Sequence, residues 1–127
     1  MEDNSYLINQ LYRDIRYLNG EIRANSENLY RLRKTYQSIS ALQEEFIHNR
    51  RFIRQPEITH LAWNGRHASH FEELRGETEE EYMRIGTNEV GVLLDRIETK
   101  ISHYENENSS LSNSISSKRD RIYQLSN

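Results

Sequence analysis

Five histidines and one dense run of carboxylates are the residues of this 127-residue chain whose types and spacing could do chemistry. His67 and His70 stand one helical turn apart with His60 and Glu73 nearby, and such an i, i+3 pair can present two imidazoles to one zinc or nickel ion. A closed site needs further ligands, however, and no second predicted helix offers a complementary set. His48 and His103 read as isolated residues on helix faces. The run Glu72–Glu81 holds six acids in ten residues and reads as a solvated face answering arginines elsewhere in the chain, with Gly76 a candidate irregularity in its helix. There is no cysteine to form a disulfide or a thiolate site, which leaves the redox compartment open. No nucleophile elbow, phosphate-binding glycine loop or paired-carboxylate pattern is visible either. The expectation is a chain that is not an enzyme and carries neither metal nor cofactor.

If side-chain chemistry is not the business of the chain, its elements must be. Only 35% of residues are hydrophobic and 29% are charged, and the mean hydropathy is −0.96, less apolar than a compact globule of this length requires. Eight Tyr, three Phe and one Trp nevertheless argue against a solvated coil. One Pro and five Gly leave little material for the turns of an all-β fold. Residues 1–55 carry nine Lys/Arg and seven Asp/Glu, and residues 56–127 carry eight and thirteen, so the halves are about +2 and −5. That suits two arms lying against each other, and neither half is basic enough for a nucleic-acid footprint.

The arms announce themselves by periodicity. From Ile8 the pattern runs Leu11, Ile15, Leu18, Ile22, Asn25, Leu29, Leu32, Tyr36 and Ile39, then past Gln43 through Phe46 to Ile53. Alternating steps of three and four predict a coiled-coil-like helix. Pro56 ends it, because proline disfavours helical backbone at the residue before it. The second half repeats the pattern with Val90, Leu94, Ile97, Ile101, Tyr104, Asn108, Leu111, Ile115, Lys118, Ile122 and Leu125. Residues 106–117 are Ser/Asn-rich, yet Leu111 and Ile115 hold the phase, which predicts a helix of low propensity that depends on packing. The fold class expected is all-α, a long antiparallel two-helix hairpin in one domain: arm 1 over about 5–54, a central turn over about 55–66 and arm 2 over about 67–125.

In an antiparallel pair, facing residues have a constant sum of residue numbers. The two seam asparagines, Asn25 and Asn108, give 133. That value also pairs Ile8 with Leu125, Leu11 with Ile122, Leu18 with Ile115, Ile22 with Leu111, Leu32 with Ile101 and Ile39 with Leu94. It sets Arg50, Arg51 and Arg54 against the stretch containing Glu79, Glu80 and Glu81, and it puts the apex near residue 66. Asn25 and Asn108 are therefore expected to be a register pair, exchanging some stability for a single alignment.

Two helices bury one narrow seam. Leu7, Tyr12, Ile47 and Leu93 lie beside it and widen the apolar stripe toward a face that a larger bundle would cover. Tyr6, Tyr17, Tyr30, Met83, Val92 and Tyr123 lie elsewhere on the arms. A protein partner is expected, either a second copy or a different helical chain.

At the apex the chain reads Leu61-Ala-Trp63-Asn-Gly65-Arg-His-Ala68-Ser-His-Phe71. Gly65 can supply backbone freedom for the reversal, and Trp63 can plug the end of the hairpin. A Trp-x-Gly followed by a small residue and then Phe, at the midpoint of a helical chain of this size, resembles the WXG family of small type VII secretion proteins. It is most similar to the YwqH-like branch found beside toxins with an LXG domain, where a Pro-Glu link, here Pro56-Glu57, precedes the turn. The resemblance rests on Trp63, Gly65, Ala68 and Phe71, with Pro56 as a softer match. It implies a targeting factor that binds the helical LXG domain of a toxin, keeps it soluble and presents it to the secretion ATPase, with a second small helical protein or a homodimer as further partners.

The paired WXG proteins carry a Tyr-x-x-x-Asp/Glu signal after the second helix. This chain ends Tyr123-Gln-Leu-Ser-Asn127, with an amide where the acid would stand, and the match at Tyr17-Leu-Asn-Gly-Glu21 lies in the first helix. A partner would then supply the acidic signal. The acidic N-terminus lacks the features of a cleaved signal peptide, and no run approaches transmembrane length. The expected location is the cytoplasm without membrane insertion, with export alongside the partner left open. The competing expectation is a homo-oligomeric structural or chaperone coiled coil unrelated to secretion.

Overall fold

A computed structural model describes residues 3–55 and 65–127. Helix α1 spans Ser5–His48 and tightens into a 3₁₀ segment, Asn49–Arg54; helix α2 spans Gly65–Arg84, a π-helical turn spans Ile85–Glu89, and helix α3 spans Val90–Ser126. The described residues contain no strand. The architecture is the expected all-α helical hairpin. Gln55, the residue before Pro56, is extended (φ −111°, ψ 143°), as the clash between the proline ring and the preceding residue requires.

The chain divides into two compact units. The first comprises Met1–Lys34 and Glu98–Asn127. Ile15, Ile115 and Ile122 form its buried centre, and Ile8, Leu11, Leu18 and Ile22 pack against them. Asn25, only 5% exposed, donates from Nδ2 to Asn108 Oδ1 at 3.0 Å, and Asn108 Nδ2 donates to Ser26 Oγ at 3.4 Å. The two seam amides thus meet as the sum of 133 demands, the bond meeting part of the hydrogen-bonding need of buried Asn25 and of half-buried Asn108. Lys118 Nζ reaches Asp14 at 3.4 Å, Asn4 Nδ2 donates to the Leu125 carbonyl at 3.3 Å, and Arg33 pairs with Glu105 at 2.9 Å. The Ser/Asn-rich stretch is helical throughout, held by Leu111 and by Ile115, which is 5% exposed.

The second unit is Thr35–Ile97. Its arms meet through aromatics: the Phe46 and Tyr82 rings stack at 3.8 Å and 5°, and the Tyr82 hydroxyl donates to the Phe46 carbonyl at 2.5 Å. Arg54 pairs with Glu79 at 2.6 Å and with Glu72 at 3.2 Å, and Arg50 lies 4.0 Å from Glu79. The charge complementarity expected of this stretch is met by Glu72 and Glu79, whereas Glu81 turns to Arg84 on its own helix at 2.8 Å.

Three sequence expectations need correction. Arm 2 is not one uninterrupted α-helix, because the π turn at Ile85–Glu89 divides it. Helix α2 runs through Gly76 without a break, so the irregularity sits ten residues later, at Gly86. Gly65, expected to turn the chain, is the first residue of α2 with open space around it and no left-handed backbone.

The π turn has a cause in the residue count. Arm 1 keeps strict steps of three and four from Ile8 to Ile53, but the inward residues of arm 2 run Tyr82, Gly86, Val90, Leu94, Ile97, with three consecutive steps of four. That is one residue more than the heptad allows. A single turn with i→i+5 hydrogen bonding absorbs it and returns the seam to phase. The geometry frees the Gly86 carbonyl to accept a hydrogen bond from Gln43 Nε2 at 2.8 Å.

Candidate functional site

Trp63, the centre of the sequence motif, lies outside the described residues, as do Pro56, Glu57 and His60. The described part of the motif opens α2. Ala68 is 4% exposed, and Phe71 is half-buried beneath the Arg75 guanidinium, 4.7 Å from the ring centroid. Arg75 is itself buried and donates from Nη1 to the Arg54 carbonyl at 3.2 Å, tying the start of α2 to the end of the 3₁₀ segment. Ala68 and Phe71, three positions apart, thus both lie on the covered side of α2. Gly65 is exposed and nothing stands within 4 Å of where its Cβ would be.

His67 and His70 are exposed on α2, and the described residues contain no cluster of three or more His, Asp or Glu arranged for a metal ion. Most ion pairs on the arms are open to water, the exception being buried Arg75, 3.7 Å from Glu72. Arg84 bridges Glu81 on α2 and Glu89 at the end of the π turn, at 2.8 and 2.6 Å, spanning the irregular turn from outside. Its hydrogen bond holds the Glu81 carboxyl below the usual carboxylate range. Tyr17, exposed on α1, is raised above the ordinary phenol value by its hydrogen bond to Glu21; this is the Tyr-x-x-x-Glu match of the sequence.

The apolar area left in water is the candidate surface. Of the four residues proposed to face a partner, Leu7, Tyr12 and Leu93 are exposed by 46%, 49% and 45%. Ile47 differs. It is half-buried, and its Cγ1 lies 3.4 Å from the position of a Cβ on Gly86, so it is partly spent on packing the second unit. No large side chain among the described residues is fully buried, which leaves much of the apolar complement in water.

Sequence reading missed the residues on which the second unit is built. Gly86 is buried because a Cβ there would stand 2.8 Å from Phe46 Cδ1. Gln43, taken as a gap in the stripe, supplies the side chain that caps the Gly86 carbonyl. The run of three four-residue steps from Tyr82 to Leu94 was the available signal. Leu42, Leu74 and Ile85 also escaped notice, though they are exposed by 62%, 47% and 39%; each would have emerged from carrying the flanking positions, and not only the seam, through the whole chain.

No helix among the described residues is long and apolar enough to cross a membrane. No curated protein and no solved structure matches the chain. A family model does match, over residues 7–127, and its description is YwqH-like. With both arms and the intervening motif inside that match, the chain belongs to the YwqH-like family.

Proposed function

We propose that this protein is a non-enzymatic accessory factor of type VII secretion, which binds the helical LXG domain of a toxin in the cytoplasm and presents it to the secretion ATPase. The observation that carries the reading is a helical hairpin of the YwqH-like family that leaves Leu7, Tyr12, Leu93 and other large apolar side chains in water. A hairpin that cannot cover its own apolar flanks gains by adding helices from another chain, since burial of such side chains is worth about 1.5–3 kcal/mol each when complete. The Trp63-x-Gly65 motif supports the targeting part, by the resemblance of Trp63, Gly65, Ala68 and Phe71 to the WXG pattern. A second small helical protein or a second copy of this chain can complete the bundle.

Co-expression with a helical LXG domain tests binding, with recovery of a stable complex through two purification steps as the expected result. Trp63→Ala tests targeting: circular dichroism and complex formation stay near wild type while export of the toxin fails. Collapse of folding or binding together with export, or export that survives intact, would remove the role given to Trp63.

A further inference from the structure

The two flanks of the seam in the second unit are not alike. On one, Arg54 and Glu79 close the groove with a 2.6 Å ion pair. On the other, Leu42, Leu74 and Leu93 immediately precede the inward residues Gln43, Arg75 and Leu94, and all three are exposed. In an antiparallel pair such positions share one side of the interface. The exposed surface of α2 continues this flank as a trough. Its lower part is lined by Ile53, Gln55, Phe71, Leu74, Arg75 and Thr78, its upper part by Glu77, Thr78, Glu81, Tyr82 and Ile85, and the two meet at Thr78. From Phe71 to Ile85 it follows four turns of helix, roughly 21 Å. The residue added in the π turn carries the face on from Ile85 to Leu93, eight positions later instead of seven.

The walls are acidic. Glu77 and Glu81 line the trough, and Glu73 and Glu80 stand exposed on the outer side of the same helix. Glu73, Glu77 and Glu80 follow one another at steps of four and three, a spacing at which like charges repel. Among the described residues no cation is paired with any of these three, since Arg54 takes Glu72 and Glu79 and Arg84 takes Glu81 and Glu89.

We infer that this trough is a docking site for an amphipathic helix whose apolar stripe is flanked by Lys or Arg, laid along α2 over Leu74, Ile85 and Leu93. The inference rests on the reading of the chain as a binder of helical proteins, and it adds the surface and the charge of the occupant. Apolar contact supplies affinity, and the glutamates select the sign and polarity of the incoming helix.

The test uses the full chain and a labelled synthetic 18-residue helix with a leucine stripe and lysine flanks, against the same helix with glutamate flanks. Fluorescence anisotropy should show the lysine peptide binding at least tenfold more tightly, with the preference shrinking as salt is raised. Leu74→Asp and Ile85→Asp should each weaken it tenfold or more with unchanged far-UV circular dichroism. Glu73→Lys/Glu77→Lys, at two exposed positions of the acidic wall, should reverse the preference whether or not an aspartate variant folds. Equal binding of the two peptides, or binding indifferent to these changes, overturns the inference. So does a dimer of the wild-type chain that Leu74→Asp converts to monomer, which would make the occupant a second copy. An LXG domain that co-purifies undiminished with all these variants would remove this surface and leave the proposed function standing. Lysine-peptide binding without LXG binding would do the reverse.

Discussion

Two glycines, one inside a long helix and one in the π turn, show how much of this molecule is decided by single side chains. Gly20 lies inside α1 with nothing within 4 Å of a would-be Cβ, so Gly20→Ala should gain about 0.5–1 kcal/mol from backbone entropy alone. At Gly86 the same change drives a methyl group to 2.8 Å from Phe46 Cδ1 and disturbs the stack on Tyr82. Overpacking of that kind costs about 1–3 kcal/mol, enough to offset the helix gain, so Gly86→Ala should lower the melting temperature where Gly20→Ala raises it. Thermal melts of the two variants check both signs. The Asn25–Asn108 contact sets a different balance. Replacing both with Leu should raise the melting temperature while broadening amide resonances, because a seam of uniform leucine tolerates alternative alignments. Glu81 offers a pH readout: its pKa, lowered by Arg84, means a stabilising contribution present above the ordinary glutamate value and lost as pH falls through the depressed one. The pair is solvent-exposed, so the effect on stability is slight. The expected observation is a Glu81 resonance titrating below the usual range that returns upward in Arg84→Gln.

At the scale of the element, the question is where a helix can absorb a change in length. The π turn already holds one residue beyond the heptad count, so deleting Asn88 there should leave an unbroken alternation of three and four and a folded hairpin. Deleting Ser110, inside the regular part of α3, rotates everything after it by about 100°. Ile115 and Ile122, 5% and 8% exposed, would leave the seam, and each buried isoleucine is worth about 1.5–3 kcal/mol. Circular dichroism melts of the two deletions should therefore differ sharply. The same contrast explains what could be read without a structure. The first unit was legible almost completely, because its periodicity is regular and each arm has a single asparagine at a seam position, Asn25 and Asn108. In the second unit the seam is kept by a glycine under a phenylalanine and by an amide reaching a main-chain carbonyl, and neither has a hydrophobic signature. Ile47 was assigned to the surface for this reason: its burial depends on the space that Gly86 leaves on the opposite arm. For the candidate site, flanking positions such as Leu7 and Leu93 follow from the heptad, whereas the trough on α2 required the face of a helix that carries six acids and whose seam is partly polar.

For the whole molecule, a small core makes stability sensitive to any further apolar burial. The buried apolar residues among those described are Ile15, Leu29, Ala68, Leu94, Ile97, Ile115 and Ile122, a few in each unit. Local opening should therefore vary along the chain. Hydrogen exchange of the isolated protein should find residues 106–117 among the fastest amides of the first unit, since Ser and Asn lower helix propensity there. Addition of a cognate helical domain should slow them severalfold and raise the melting temperature in proportion to the logarithm of its concentration. Uniform protection along both arms in the isolated chain, unchanged by the partner, would show that the hairpin folds independently of one.

The single asparagine in each seam also works as a check digit. A repeat of seven invites the arms to slide by seven, and most of the apolar seam would not notice. Under such a slip Asn25 would land on Ile101 or Ile115, and Asn108 on Leu32 or Leu18. Buried Asn25 would then be stranded, at about 1–3 kcal/mol, while half-buried Asn108 would lose its partner and keep some access to water. A chain closed in the wrong frame is thereby disfavoured by a factor of roughly five to one hundred and forty from Asn25 alone, which tells the right alignment from its near copies.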